Sequence, residues 1–246
     1  SKIVGACTDN TVKIWNSSTG ELLKTLIGHT NWVNFAKFNN DASIIVSGSD
    51  DRKVIVWDFD TRSGSYGNPI FKFKHIDKIS SIDFSHDSKK IISASSYIDP
   101  YNDEEDYQIC VWNVDKLNEN FGEKIKEFKT NINGIESIKF NHDSTKIIIG
   151  LYNYIKILDI NTGEFLNEIE INGNGMYIDI NYNSTMIVSG IGSRIMIWDL
   201  LTGKLLIRII DYDFISSIDK TVVKFNHDGT QILGASNNII KIWKLL

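Results

Sequence analysis

One recurring pattern constrains the fold of this chain more than its composition does. In its fullest form, from Gly28 to Asp58, the pattern opens with Gly-His, continues as three short apolar runs separated by polar turns, and closes with Trp-Asp. Short apolar runs bounded by Asn, Asp, Gly and Ser are typical of β-strands joined by tight turns. The pattern therefore predicts a repeated antiparallel β-structure.

Two marker positions give the length of the repeat. The residue that closes the third apolar run recurs after 42, 55, 46, 40 and 45 residues, and the residue that closes the first run recurs after 46, 56, 40 and 45. The third-run markers are Trp15, Trp57, Trp112, Leu158, Trp198 and Trp243, and the first-run markers are Phe38, Phe84, Phe140, Ile180 and Phe225. A period of 40–45 residues is typical of a four-stranded unit. The third run is apolar at successive positions, which predicts a strand buried on both faces between neighbouring sheets.

The Gly-His opening and the Trp-Asp closing of this repeat resemble the signature of the WD-repeat β-propeller family. The resemblance implies an all-β fold of four-stranded antiparallel blades, with strands a to d in each blade and residues 1–246 in one domain. About six blades are visible, with approximate bounds 1–27, 28–74, 75–129, 130–170, 171–210 and 211–246. Blade one lacks strand a and blade six lacks strand d. We therefore expect an N-terminally truncated piece of a ring of six or seven blades.

Charge, hydropathy and cysteine content limit the function classes. The 246 residues carry a formal net charge of −5, so we expect no general attraction to nucleic acid or to anionic membranes. No apolar run reaches the roughly 18 residues of a membrane span. Cys7 and Cys110 lie in strand-like runs of different repeats and are expected to be free thiols. This pattern favours a cytoplasmic location, with the nucleus as the other intracellular option.

Four polar side chains of the fullest repeat match the structural hydrogen-bond tetrad that the resemblance implies. They are His29, a strand-b serine (Ser47 or Ser49), Asp51 and Trp57. In this tetrad the imidazole joins the aspartate to the serine, and the serine accepts the indole N–H. A hydrolase could use the same Ser, His and Asp, but no nucleophile-elbow pattern accompanies them. We therefore predict a structural role.

Three further histidines, His86, His142 and His227, each precede an aspartate in the turn between strands a and b. Because they occupy equivalent positions in different blades, we expect them to lie many ångströms apart. A shared metal site needs ligands that converge on one ion. We predict no metal or cofactor site.

An acidic insertion separates strands b and c of blade three. A solvated loop is the simplest interpretation, and a docking strip for a basic partner is the functional alternative. A calcium site is the third interpretation, but the spacing of an EF-hand loop is absent. The docking candidates are Asp103, Glu104, Glu105 and Asp106.

The resemblance also places a set of side chains on one face of the propeller, near its central channel. Trp32 precedes strand a of blade two and is the main candidate for partner binding, since an exposed Trp at a rigid cavity is a typical hot spot. Packing on blade one is the alternative role of this Trp. The equivalent positions in later blades are Lys78, Gly134, Asn174 and Asp219, and Arg52 and Tyr97 border the same face.

The resemblance implies a non-catalytic protein-interaction scaffold that binds a peptide or protein partner on this face within a multiprotein complex. A second hypothesis is a C-terminal sensor or regulatory domain of a longer protein whose activity lies upstream. A third is an enzyme built on a propeller, for which the sequence offers no convergent set of titratable groups. We predict no nucleic-acid or membrane partner.

Overall fold

The computed structural model describes residues 1–95, 107–130, 134–171, 177–211, 221–236 and 239–245. Contacts divide the chain into two compact units, Ser1–Asn133 and Gly134–Leu246. Across the described ranges, no helix has the length and apolarity needed to span a bilayer.

The first unit contains three antiparallel sheets, which correspond to blades one to three. Blade one has the strand order β1-β2-β3, blade two β4-β5-β6-β7 and blade three β8-β9-β10-β11. The strands are β1 (Lys2–Ala6), β2 (Thr11–Asn16), β3 (Leu22–Ile27), β4 (Val33–Phe38), β5 (Ile44–Ser49), β6 (Lys53–Asp58), β7 (Pro69–Lys74), β8 (Ile79–Phe84), β9 (Lys90–Ser95), β10 (Tyr107–Asn113) and β11 (Lys124–Thr130).

The second unit also contains three antiparallel sheets, corresponding to blades four to six. Their strand orders are β12-β13-β14-β15, β16-β17-β18-β19 and β20-β21-β22. The strands are β12 (Ser137–Phe140), β13 (Lys146–Gly150), β14 (Tyr154–Asp159), β15 (Phe165–Glu170), β16 (Tyr177–Ile180), β17 (Met186–Ile191), β18 (Arg194–Asp199), β19 (Leu205–Ile210), β20 (Val222–Phe225), β21 (Gln231–Ser236) and β22 (Ile239–Lys244). Six blades of three or four strands confirm the predicted β-propeller fold class.

Strand β6 shows why the third run of each repeat is apolar on both faces. Ile55 and Trp57 belong to a buried cluster with Ile14 of blade one. Val56 points to the other face and belongs to a cluster with Trp112 of blade three. Because both faces of the strand are covered by neighbouring blades, a polar residue on either face would lose its hydration.

Strand β22 of blade six has the same apolar pattern but a different environment. Ile240 and Ile242 are 71% and 64% exposed. On the opposite side of the sheet, Ile232 is fully buried. The pattern of this strand is therefore suited to burial on both faces, whereas one of its faces is open.

The residue before each strand-a marker carries a charge whose sign alternates from blade to blade. In chain order, these residues are Lys37, Asp83, Lys139, Asp179 and Lys224. In the first unit, the Lys37 ammonium pairs with the Asp83 carboxylate. In the second unit, an Asp179 carboxylate oxygen accepts the Phe225 N–H at 2.9 Å. Side chains thus join the first strands of neighbouring blades.

Lys37→Met is expected to lower the free energy of unfolding by about 1–2 kcal/mol, because it removes the Lys37 ammonium from the largely buried Asp83 carboxylate. Urea unfolding of Lys37→Met, Asp83→Asn and the double variant measures the coupling between the two side chains. Lys13→Met is the matched control, since Lys13 pairs with the exposed Asp9, and this substitution should cost less. An equal cost for both lysine variants would contradict the assigned role of Lys37.

Candidate interaction surface

Trp32 lies on a short segment that hydrogen bonds hold in place just before β4. Its backbone N–H donates to Asn31 Oδ1 at 2.8 Å, and its carbonyl oxygen accepts the Asp50 N–H at 2.9 Å. The side chain nevertheless remains 55% exposed. The backbone is therefore anchored while much of the indole faces solvent, so packing on blade one does not account for this residue.

Two cationic side chains lie on the same part of blades two and three. The Lys78 ammonium is 3.3 Å from an Asp50 carboxylate oxygen, and Arg52 Nε is 4.0 Å from Asp77 Oδ1. The side chains of both cations are 60% exposed, whereas those of Asp50 and Asp77 are only 16% and 9% exposed. The accessible charge is therefore cationic. Trp32, Arg52 and Lys78 together are called the Trp32 surface.

A buried hydrogen-bond network lies next to this surface. His29 Nε2 is 2.7 Å from Ser47 Oγ, and Trp57 Nε1 donates to the same oxygen at 2.8 Å. His29 Nδ1 is 3.0 Å from Asp51 Oδ2. With the carboxylate accepting from Nδ1–H, Nε2 accepts the Ser47 hydroxyl proton, which fixes the imidazole tautomer. The four side chains of the predicted tetrad are thus joined through Ser47.

Burial and hydrogen bonding set the protonation states of the tetrad. Burial lowers the pKa of His29, so the imidazole is neutral. Burial alone would raise the pKa of Asp51, but hydrogen bonds from the Thr30 N–H and from His29 outweigh it and hold the pKa below its ordinary value. The carboxylate is therefore ionised and accepts both hydrogen bonds.

Ser49 has a different role from Ser47 and links the network to the Trp32 surface. Its hydroxyl donates to the carbonyl of Asn31 at 3.0 Å and accepts the Asp51 N–H at 3.0 Å. Asn31 in turn holds the backbone of Trp32. Arg52 follows in the same turn with φ 66°, a left-handed conformation that costs energy for a residue other than glycine. The network thus positions both sides of the candidate surface.

The buried network cannot act as a hydrolytic triad in this conformation. Ser47 has no solvent-accessible surface, and His29 is 6% exposed. The Ser47 oxygen also already accepts the Trp57 N–H. A nucleophile must reach a substrate carbonyl, and this hydroxyl is enclosed by its own partners.

Comparisons with known proteins agree with this architecture. The family model described as "WD domain, G-beta repeat" matches residues 20–58 and 67–113. The chain is 27% identical over 177 residues to "Periodic tryptophan protein 2 homolog" of Schizosaccharomyces pombe, covering 65% of this chain and 19% of that protein. The chain therefore carries WD repeats within a β-propeller fold.

Shorter matches connect this WD-repeat chain to other proteins. It is 44% identical over 55 residues to "Lissencephaly-1 homolog 1" of Paramecium tetraurelia, which covers 22% of this chain and 14% of that protein. It is 42% identical over 55 residues to "Probable coatomer subunit beta'" of Schizosaccharomyces pombe, which covers 22% of this chain and 7% of that protein. The chain thus matches less than a fifth of the length of these curated relatives.

Other blades of this WD-repeat chain retain parts of the tetrad. In blade three, His75 Nε2 is 2.7 Å from Ser93 Oγ, and Trp112 Nε1 donates to Ser93 at 2.8 Å. His75 Nδ1 is 3.1 Å from Ser95 Oγ, so a serine takes the place of the aspartate. Burial lowers the pKa of His75 to about 4. This imidazole therefore stays neutral, with a serine hydroxyl beside each ring nitrogen.

Blade four replaces both members of the serine–tryptophan pair together. Leu158 occupies the tryptophan position, and Ile149, fully buried, occupies the serine position by strand register. Replacing both partners by apolar groups leaves no buried donor or acceptor unsatisfied. Both replacements are visible in the sequence, but only the strand register shows that Ile149 and Leu158 belong to one site.

Several predicted site residues lie outside the described part of the chain. These are Tyr97, Asn174, Asp219 and the acidic candidates Asp103, Glu104, Glu105 and Asp106. Gly134 is described in the second unit with φ 74° and has no side chain to offer a partner. Of the predicted partner-binding residues, the structure therefore brings together Trp32, Arg52 and Lys78.

Two of the three a–b turn histidines share an aromatic neighbour. His142 and His227 both contact Tyr182, with ring centroids 4.5 Å and 5.1 Å from the tyrosine ring. The turns of blades four to six converge, and Tyr182 bridges the gap between the two histidines. Within the residues described, no group of three or more His, Cys, Asp or Glu side chains could hold a metal ion.

Proposed function

We propose that this WD-repeat chain is a non-catalytic interaction scaffold that binds a peptide or protein partner at the Trp32 surface. The exposed indole on an anchored backbone is the observation that supports this role. Tryptophan and arginine are enriched at binding hot spots, where a rigid position limits the entropy lost on association. Trp32 and Arg52 combine both residue types beside one turn.

The hydrogen bonding of Arg52 indicates the chemistry of the partner. Its Nη1 makes only a long hydrogen bond, 3.4 Å, to the carbonyl of Ile76, and Nε is 4.0 Å from Asp77. A guanidinium has five N–H donors and suits planar carboxylates. We propose that a partner places an apolar side chain on Trp32 and an acidic group near Arg52 and Lys78.

Membership of a multiprotein complex is part of the proposal. WD-repeat proteins generally bind protein partners, and one relative is named as a coatomer subunit. The relatives also extend far beyond the matched region, which supports the alternative of a sensor or regulatory domain within a longer protein. No catalytic role is proposed because the tetrad is enclosed. We propose a cytoplasmic location, with the nucleus as the other option, because Cys7 and Cys110 are free thiols.

Trp32→Ala is expected to weaken partner binding about 30-fold with little change in the melting temperature, because it removes a side chain that is more than half exposed. The measurement is a pull-down from source lysate with the full-length protein, mass spectrometry of the retained proteins, and titration of the purified partner. Leu117→Ala is the matched control, since Leu117 is an apolar side chain that is 97% exposed in the same unit.

The outcomes separate the alternatives. Loss of partner binding with Trp32→Ala but not with Leu117→Ala would support the Trp32 surface as the binding site. Loss only when the charges at 103–106 are removed would instead indicate electrostatic docking at the acidic insertion. Equal retention by the wild type and Trp32→Ala would exclude the proposed surface.

A further inference from the structure

Strand β19, the outer strand of blade five, carries fewer charges than the outer strands of blades two, three and four. Its sequence is Leu-Leu-Ile-Arg-Ile-Ile, with Arg208 as its only charged residue. The outer strands β7, β11 and β15 each carry at least two charged residues, and β3 carries a lysine and a threonine. Charged side chains on edge strands protect proteins against unwanted strand pairing. A single charged residue gives β19 little of that protection.

The apolar side chains of β19 are accessible. Leu206 and Ile210 are 51% and 48% exposed. They share one face of the strand with Arg208, because alternate residues of a strand point to the same side. Ile209 points to the other face and packs partly against the buried cluster that contains Ile195. A segment lying beside β19 would therefore meet aliphatic side chains on both sides of Arg208.

The backbone of β19 also has an unused edge within its sheet. The Asp211 N–H donates to the Ser193 carbonyl at 3.1 Å, which fixes the alternation of hydrogen-bonded positions along the pairing with β18. In an antiparallel pair, every second residue directs its N–H and C=O to the neighbouring strand. By this alternation, Arg208 and Ile210 direct theirs away from β18, whereas a register shift at Ile197/Trp198 interrupts the alternation beside Leu206. The sheet order places β19 at the edge.

Arg208 supplies the charge that selects a partner. The described residues provide no ion pair or hydrogen bond for its side chain. The nearest charged residue in sequence, Asp211, already binds the Lys241 ammonium. An exposed guanidinium between aliphatic residues favours a carboxylate on an incoming strand, since opposite charges stabilise cross-strand pairs.

We propose that β19 is a second docking site, at which an extended segment of a partner protein adds a strand to the blade-five sheet. The segment carries an acidic residue opposite Arg208, with aliphatic residues two positions before and after it. Main-chain hydrogen bonds to Arg208 and Ile210 provide the pairing, and the charge pair sets the register. This site is independent of the Trp32 surface.

Synthetic peptides test both parts of the proposal. The probe is acetyl-Ser-Ile-Thr-Glu-Thr-Val-Ser-amide with a fluorescent label, and its matched control has Lys in place of Glu. A third peptide carries an N-methyl group on the Glu amide, which removes a hydrogen bond of the strand ladder. Fluorescence anisotropy with the full chain, its Arg208→Glu variant and Lys126→Glu on β11 measures affinity. Amide hydrogen exchange locates the bound segment.

We expect the Glu peptide to bind at least about tenfold more tightly than the Lys and N-methyl peptides. Arg208→Glu should reverse the preference between Glu and Lys, whereas Lys126→Glu and Trp32→Ala should leave it unchanged. The amides of Arg208 and Ile210 should exchange more slowly in the complex. Equal binding of all peptides, protection at another strand, or no binding at about 1 mM, the millimolar end of the affinity range, would overturn the proposal.

Discussion

Ser47→Ala is expected to lower the free energy of unfolding by about 2–4 kcal/mol. The substitution removes the oxygen that accepts the Trp57 N–H and the hydroxyl that bonds to His29 Nε2. Both remaining groups stay buried without a partner, and each unsatisfied buried group costs about 1–3 kcal/mol. Urea unfolding followed by tryptophan fluorescence and by circular dichroism measures the change.

Ser189→Ala in blade five is the matched control for this substitution. Its hydroxyl oxygen accepts the Trp198 N–H at 2.9 Å, without a histidine among its described partners. We therefore expect about half the loss seen for Ser47→Ala. In the double variant Ser47→Ala, Trp57→Phe, the orphaned indole donor is also removed, so the loss should be smaller than the sum of the single losses. A Ser47→Ala variant no less stable than Ser189→Ala would contradict the central role of Ser47.

The second large effect is a loss of stability in mildly acidic solution. The pKa of His75 falls from an ordinary 6.5 to about 4 in the folded protein because the imidazole is buried. The unfolded chain therefore binds more protons between these two values, and stability is lost as the pH falls through this window. A shift of this size corresponds to about 3 kcal/mol, present in full above pH 6.5 and absent below pH 4.

The pH range in which stability is lost distinguishes the effect of the buried histidines from that of the carboxylates. Asp51, whose pKa is lowered, contributes stability that disappears only at more acidic pH. His29 has a lowered pKa for the same reason as His75 and adds to the effect. Urea unfolding between pH 4 and pH 7 should show a steep decline for the wild type and a shallower one for His75→Gln. Identical slopes for the two proteins would show that His75 does not titrate as a buried group.

The repeat pattern predicted the blades because it reflects local rules. Short apolar runs separated by Asp, Asn and Gly specify strands and turns, and an interval near 40–45 residues specifies a four-stranded unit. The tetrad was predictable to within one residue, since Ser47 and Ser49 alternate on the same face of β5. The strand register resolves the choice between Ser47 and Ser49. Ser47 pairs with Ile55, which is two residues before Trp57, so the Ser47 hydroxyl lies within reach of the Trp57 indole.

Other features of the site depend on residues far apart in sequence. The convergence of His142, Tyr182 and His227 requires three turns from three blades to meet. The cationic character of the Trp32 surface depends on relative exposure, since equal numbers of acids and bases occupy that part of the chain. The sequence gives the number of charged residues, but only the packing of Asp50 and Asp77 beneath their cationic partners shows which sign of charge is accessible to a ligand.

The amino-acid sequence of this chain established its strands, its turns, its repeat length and its fold class, because each depends on periodicity over a few residues. The tertiary structure established which apolar faces are covered and which remain open. β6 and β22 share one pattern, yet Trp57 is fully buried and Ile240 is 71% exposed. Burial depends on what packs against a strand, and that neighbour is supplied by residues distant in the chain. For the same reason, the open edge of β19 emerged only from the folded sheet.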